Sequence, residues 1–175
     1  MKLICNNIII RNATLDDAKQ LSAWWNDGNV MAHAGWPLGT GQTEEMIASK
    51  LALDDEINYQ RLIIEYNHCP IGEANYRRVD INVVEIGIKI CDFSMQNKGL
   101  GKIILSMLIE SLFNDYGFEK IILDTNLNNK RAQHVYEKLG FQKIRTNMNS
   151  WKDQLGQLQS SIDYELVPSH FKNYK

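Results

Sequence analysis

The chain has 175 residues, 44% of them hydrophobic and 23% charged, which places it among globular proteins rather than disordered or collagen-like ones. Its net charge of −2, with no long Lys/Arg run, argues against a nucleic-acid or anionic-membrane partner, because both demand a clustered basic surface. No apolar run approaches the ~20 residues that span a bilayer, and the opening MKLICNNIIIRN is too polar for a signal peptide. Cys5, Cys69 and Cys91 are irregularly spaced and suggest neither a disulfide framework nor a metal site. One domain over 1–175, in the reducing cytoplasm, is the expectation.

In chain order, Ile8, Ile9 and Ile10 are consecutive and β-branched, as in a short buried strand. Thr14 followed by Leu15, Asp16 and Asp17 is a helix start, with acids where they complement the dipole. Ala18, Leu21, Trp24 and Trp25 keep helical spacing, so this helix is predicted to reach Asp27 and stop at Gly28. One tryptophan of the adjacent pair should be core. HAGWPLGTG, at 33–41, reads as loop, and Thr43 caps a second helix carrying Met46, Ile47 and Leu51.

Strands follow at 59–66, 71–77 and 83–91, with turns at 67–70 and 80–82. A long amphipathic helix is predicted over 99–116, with Gly117 at its C′ position. Residues 120–124 (KIILD) are apolar on both faces, as in a central strand. A helix over 129–139 ends at Gly140, Phe141 begins a strand, and 162–167 forms the last one. This order of elements suggests one mixed α+β sheet covered by helices.

Gln96, Asn97, Lys98, Gly99, Leu100, Gly101 and Lys102 lie between a strand and the long helix. Unpartnered N–H groups at a helix start suit a phosphate, and glycines let the anion approach the main chain. A P-loop fails, because Gln96 stands where its first glycine belongs and Ile103 follows Lys102. A dinucleotide GxGxxG fails at Ile104. A plain glycine-containing helix start without ligand stays open.

One strand downstream stands NKRAQHVYEKLGF, from Asn129 to Phe141. Together with QNKGLG and the intervening KIILD, this segment resembles the GNAT family of acetyl-CoA-dependent N-acetyltransferases, whose elements are Q/R-x-x-G-x-G/A and N-x-x-A/S…Y-x-K-x-G-F. The resemblance is tight over 83–144 and looser over the first helices. The opening IIIRNATLDDA looks like the Rim-type and aminoglycoside-type branches.

The resemblance implies a single mixed, mostly antiparallel sheet with a splayed central strand pair, an acceptor side built by 14–53, and an acetyl-CoA core at 83–144. It implies that Lys89, Ile90 and Cys91 pair through their backbones with pantetheine. It puts the pyrophosphate on Gln96, Asn97, Lys98, Gly99, Leu100, Gly101 and Lys102, and a further cofactor hydrogen bond on Asn129. Tyr136 matches the family's tyrosine near the thioester sulfur, although a core tyrosine is its plain alternative. The acceptor amine must lose a proton before attack and the departing thiolate must gain one. Asp124 leads as base, with Glu85 and then Glu73 behind it. His134 reads as a surface histidine, and Cys91 as packing beside the cofactor, with no metal implied.

On the acceptor side, Trp36 is either a wall of the cleft or a plug over the core. Glu44, Glu45, Asp54, Asp55 and Glu56 either give the mouth a negative field or form solvated surface. Residues 149–153 look like a Rim-type hairpin extended by a polar, flexible 154–160, and that hairpin offers an edge for a homodimer. The expected partners are acetyl-CoA and an amine, of a small molecule (aminoglycoside or polyamine) or of a protein N-terminus. A binding module that senses acyl-CoA without turnover is the alternative.

Overall fold

A computed structural model describes all 175 residues. Eight strands form one sheet in the order β1-β2-β3-β4-β5-β6-β8-β7. They are β1 (Lys2–Cys5), β2 (Ile8–Asn12), β3 (Tyr59–Tyr66), β4 (Cys69–Asp80), β5 (Val83–Ile90), β6 (Lys120–Asn126), β7 (Gln142–Lys152) and β8 (Leu158–Leu166). Every neighbouring pair is antiparallel except β5–β6. The helices are α1 (Ala18–Trp25), α2 (Gly28–Met31), α3 (Glu44–Leu51), α4 (Leu100–Asn114) and α5 (Lys130–Leu139). None is long and apolar enough to cross a membrane.

The parallel pair is short. Only Val83–Glu85 of β5 faces Lys120–Ile122 of β6, after which the two strands part. On one side of the sheet, α4 and α5 join a 25-residue core that includes Leu62, Ile64, Ile104, Leu108 and Tyr164. A smaller cluster joins α1 and α3 to the rest through Leu21, Trp24, Ile47, Ile63 and Cys91. Leu62, Ile63 and Ile64 alternate between these two cores, so β3 is apolar on both faces. Each such side chain, fully buried, contributes roughly 1.5–3 kcal/mol.

Several expectations are corrected. β1 was not anticipated: Asn6, at φ 50, turns the chain so that Leu3 and Ile4 pair with Ile10 and Ile9. The first helix ends at Trp25 rather than Asp27, and Gly28 starts α2 instead of stopping a helix. Asp27 caps that start by accepting from the N–H of Asn29 at 2.8 Å. Gly28 is required for close approach, since a Cβ there would lie 2.0 Å from the Pro37 carbonyl oxygen. The strand after α5 begins at Gln142, one residue past the buried Phe141. The segment 154–160 is not a flexible excursion. Asp153 Oδ1 accepts from the N–H groups of Leu155 and Gln157, closing a tight turn, and β8 already starts at Leu158.

Candidate active site

The parting of β5 and β6 opens a cleft of about 1260 Å³. Its direction along β5 follows from hydrogen bonding. The Asn82 carbonyl accepts from Lys120 on the β6 side, while the Cys91 N–H donates to the Ile71 carbonyl at 2.8 Å. Strand alternation then turns the main-chain groups of Ile86, Ile88 and Ile90 toward the gap. Those of Lys89 and Cys91 face β4. Of the three residues expected to meet pantetheine, Ile90 alone has a main chain aimed into the cleft.

The helix starts of α4 and α5 close one end of the cleft. Asn97 and Gly99 adopt left-handed conformations, φ 60 and 78, that turn the chain into α4. The N–H groups of Asn97, Lys98, Gly99, Leu100, Gly101 and Lys102 bond to nothing in the protein. A Cβ built on Gly99 would project into open space, and one on Gly101 would meet only Ile90 Cδ1, at 4.0 Å. This bare row of donors at a helix N-terminus fits a diphosphate. Lys102 lines the cleft, but Lys98 does not: its Nζ points to Met95 Sδ.

Gln96 has a different place from the one expected. Its N–H donates to Phe93, and its side chain braces the site: Nε2 donates to the Ile90 carbonyl (2.8 Å) and Oε1 accepts from Arg131 Nη1 (2.5 Å). Asn129 caps α5 by accepting from the Ala132 N–H, while its amide nitrogen makes no hydrogen bond in the protein. Lys130 and Arg131 also line this end, so with Lys102 it is basic. Their signal was present in the sequence as two cations in the first turn of a helix, where the dipole disfavours them.

The other end is acidic, and its three carboxylates differ. Glu73 accepts from Trp25 Nε1 through both oxygens, at 2.9 Å each, and from Lys89 Nζ at 2.9 Å. Glu85 is ion-paired to Arg77. Asp124 has no cationic or hydrogen-bonding side-chain partner. Loss of hydration in the cleft wall, then the charges of Glu85 and Asp163, hold its carboxyl above the usual range.

Tyr136 is buried by its ring, edge-on to Phe141 and Tyr164 with centroids 5.8 Å away in both cases. The residue lines the cleft and its hydroxyl has no partner in the protein. Burial, and next the charge of Asp124, push its pKa up to about 12. Cys91 lies outside the cleft in the smaller core, where burial pushes its thiol up to about 12. His134 does not line the cleft either.

Trp36 is not the wall: it is exposed and outside the cleft, and Trp151 of β7 takes the place together with Asn29, His33 and Tyr59. The acids of 44–56 also lie outside. Asp54 pairs with Arg61 and Glu56 with the Met1 amino group. Trp151 and Tyr59 gave no sequence signal, because the sheet order and the hairpin geometry bring them in.

An acetyltransferase (GNAT) domain model matches residues 7–142. The chain belongs to the GNAT acetyltransferase family. Among relatives of this GNAT chain, an aminoglycoside N(6′)-acetyltransferase type 1 of Klebsiella pneumoniae is 28% identical over 157 residues, covering 81% of this chain and 77% of that one. An uncharacterised protein of Methanocaldococcus jannaschii is 26% identical over 148 residues, and there the match spans only 30% of the longer relative. A spermidine N-acetyltransferase from Vibrio cholerae, solved with CoA and spermine, has a TM-score of 0.84 at 18% identity, covering 95% of this chain and 98% of that one. A ribosomal L7/L12 α-N-protein acetyltransferase, solved with CoA, reaches 0.83 at 13% identity, with the same coverage. At such identities these two structures establish the GNAT fold. No group of His, Cys, Asp or Glu suited to a metal ion is present.

Proposed function

We propose that this protein transfers an acetyl group from acetyl-CoA directly to a primary amine, of a small molecule of aminoglycoside or polyamine type or of a protein N-terminus. One observation carries this reading. A single cleft joins the bare N–H row of 97–102 to an unpaired acid, Asp124, and an unpartnered phenol, Tyr136.

Acetyl-CoA supplies an activated thioester when bound. The N–H row with Lys102, Lys130 and Arg131 would hold its phosphates, and the amide nitrogen of Asn129 and the main chain of Ile88 and Ile90 would hold the pantetheine arm. Asp124 accepts a proton from the acceptor ammonium, directly or through one water; partial desolvation, with the charges of Glu85 and Asp163, makes it a stronger base than a free carboxylate. Main-chain N–H groups of β5 facing the gap serve as donors toward the reacting carbonyl oxygen.

Tyr136 stays protonated at neutral pH; as the C–N bond forms and the C–S bond breaks it gives its hydroxyl proton to the departing sulfur, and the surplus proton on the acylated nitrogen returns to the phenolate, directly or through water. Glu73 does not serve as base, since Trp25 and Lys89 hold both its oxygens.

A cytoplasmic setting is supported by three free cysteines. A homodimer is supported by the long outer strand β7, which leaves one edge unpaired and Ile144 and Met148 exposed.

The test is thiol release from acetyl-CoA with a panel of aminoglycosides, polyamines and N-terminal peptides. Amine-dependent release carries the reading and names the acceptor class. Tight CoA binding without release for any amine would favour the acyl-CoA sensor instead.

A further inference from the structure

The final residues, although exposed, are tied back onto the helices. Residues 172–175 lie along one row of α4 formed by Lys102, Ser106 and Glu110, which are spaced by four and so stacked on one face. The Tyr174 N–H donates to Ser106 Oγ at 2.9 Å, and Ser106 is fully buried. Glu110 accepts from Asn173 Nδ2 at 3.2 Å and is ion-paired with Lys175.

The same segment is tied to the end of α5. The Lys172 N–H donates to the Leu139 carbonyl, and Tyr174 Oη donates to the Lys138 carbonyl at 3.2 Å. Close apposition just before it demands a glycine: a Cβ on Gly140 would lie 1.9 Å from the His170 carbonyl oxygen. The Tyr174 ring, fixed in this way, lies under the ammonium of Lys102, with Nζ 4.7 Å from the ring centroid. Lys102 closes the bare N–H row, and of the two lysines in that row it is the one that lines the cleft.

We propose that Tyr174 is a positioning residue for the cofactor, holding the Lys102 ammonium over its ring so that the charge stands ready at the phosphate end of the cleft. The aromatic face attracts a cation without neutralising it, so the charge stays available to an anion while its motion is restricted. A carboxylate in the same position would hold the lysine equally well and cancel its field. Restricting a flexible lysine before binding reduces the ordering cost that the ligand would otherwise meet.

This inference rests on the acetyl-CoA reading of the cleft, and one set of titrations separates the two. CoA affinity is measured by calorimetry for the wild type, Tyr174→Phe, Tyr174→Leu, Lys102→Met and the Tyr174→Leu/Lys102→Met double variant. Leucine keeps the apolar bulk and the main-chain bond to Ser106 but removes the aromatic face. Phenylalanine keeps the face and removes only the hydroxyl.

Tyr174→Leu is expected to weaken CoA binding about two- to fivefold, and Tyr174→Phe to stay near the wild type. In the Lys102→Met background the leucine substitution is expected to have no further effect. Equal losses for Phe and Leu, additive losses in the double variant, or tighter binding by Tyr174→Leu would each overturn the role of Tyr174. Absence of CoA binding by the wild type would overturn the cleft reading, and this role with it.

Discussion

Gln154 grips Gly39 across 115 residues of sequence: its Nε2 donates to the Gly39 carbonyl at 3.0 Å. Its Oε1 accepts from the Leu38 N–H at 2.9 Å, and its own N–H donates to the Gly35 carbonyl at 2.8 Å. One amide side chain thus joins the β7–β8 hairpin to the loop after α2. Trp151 packs against Gly35 so closely that a Cβ there would sit 2.5 Å from the indole. Two residues that line the cleft, His33 and Trp151, are held in register this way.

Gln154→Ala is expected to lower stability by about 1–2 kcal/mol, from the two lost side-chain hydrogen bonds. In steady-state kinetics it should raise the acceptor KM several-fold while the CoA dissociation constant stays put. A change in CoA affinity of the same size would contradict an acceptor-side role for this clamp.

Gly99→Val places a branched side chain at φ 78, where L residues are strained, and projects it into the open space before the N–H row. CoA affinity is expected to fall at least about tenfold, about 1.4 kcal/mol. Gly101→Ala separates strain from occlusion: its φ is not positive and its Cβ meets only Ile90 Cδ1 at 4.0 Å, so a loss of CoA affinity there comes from the methyl group in the row and is expected to be smaller. An unaltered CoA dissociation constant in the valine variant would move the phosphate site elsewhere.

Tyr136→Phe removes a hydroxyl that bonds to nothing in the protein, so thermal stability is expected to be near that of the wild type. Turnover should fall by about 10²-fold or more, the usual size of a positioned proton donor's effect, with CoA binding retained. Full turnover would return Tyr136 to a packing role against Phe141 and Tyr164.

Asp124 carries a signed pH dependence. Its carboxyl titrates above the ordinary value, so activity that needs the base form should rise with pH through a pKa higher than that of a free aspartate. For stability the sign is opposite. Between the unfolded and folded pKa values the folded state holds more protons, so stability falls as pH rises. Asp124→Asn should therefore lose turnover yet melt no lower than the wild type at neutral pH. A clear drop in melting temperature would identify a structural aspartate instead.

Asp17 behaves in the reverse way. Although burial opposes its charge, Arg11 holds it through Nη1 and Nη2 at 2.7 and 2.8 Å, the Thr14 N–H adds a bond at 2.7 Å, and the carboxyl titrates below its usual value. Its contribution is present above the unfolded pKa of about 3.9 and lost as pH falls through the lower folded value. Asp17→Ala removes one of the two carboxylates that hold the half-buried Arg11 guanidinium, Glu65 staying bonded to Nε at 2.7 Å, and is expected to cost about 1–3 kcal/mol, read by urea unfolding at neutral pH. A cost that persists undiminished well below pH 3 would exclude this ion pair as its source.

Much of this protein is legible in its sequence. The QNKGLG loop, the KIILD strand and NKRAQHVYEKLGF are local signals. Their donors, glycines and capping residues act through neighbours a few positions away, and the helix starts they mark stand within a residue or so of the expected ones. The apolar run of KIILD likewise marked an interior strand, although only the Ile121 and Leu123 face of β6 is fully buried, Ile122 being half-buried and Asp124 exposed. These features depend on short-range geometry, which the order of residues determines by itself.

What the sequence left open was decided by long-range packing. The pairing of Trp25 with Glu73, which ties that acid into the cleft wall, spans 48 residues, and the clamp from Gln154 spans 115. The choice of Trp151 over Trp36 as a cleft wall, and the seat of Tyr174 beneath Lys102, depend on where the hairpin and the chain's last segment come to rest. No spacing in the chain encodes such contacts. They arise when β5 and β6 part, because the sheet then brings the tips of distant elements around one gap.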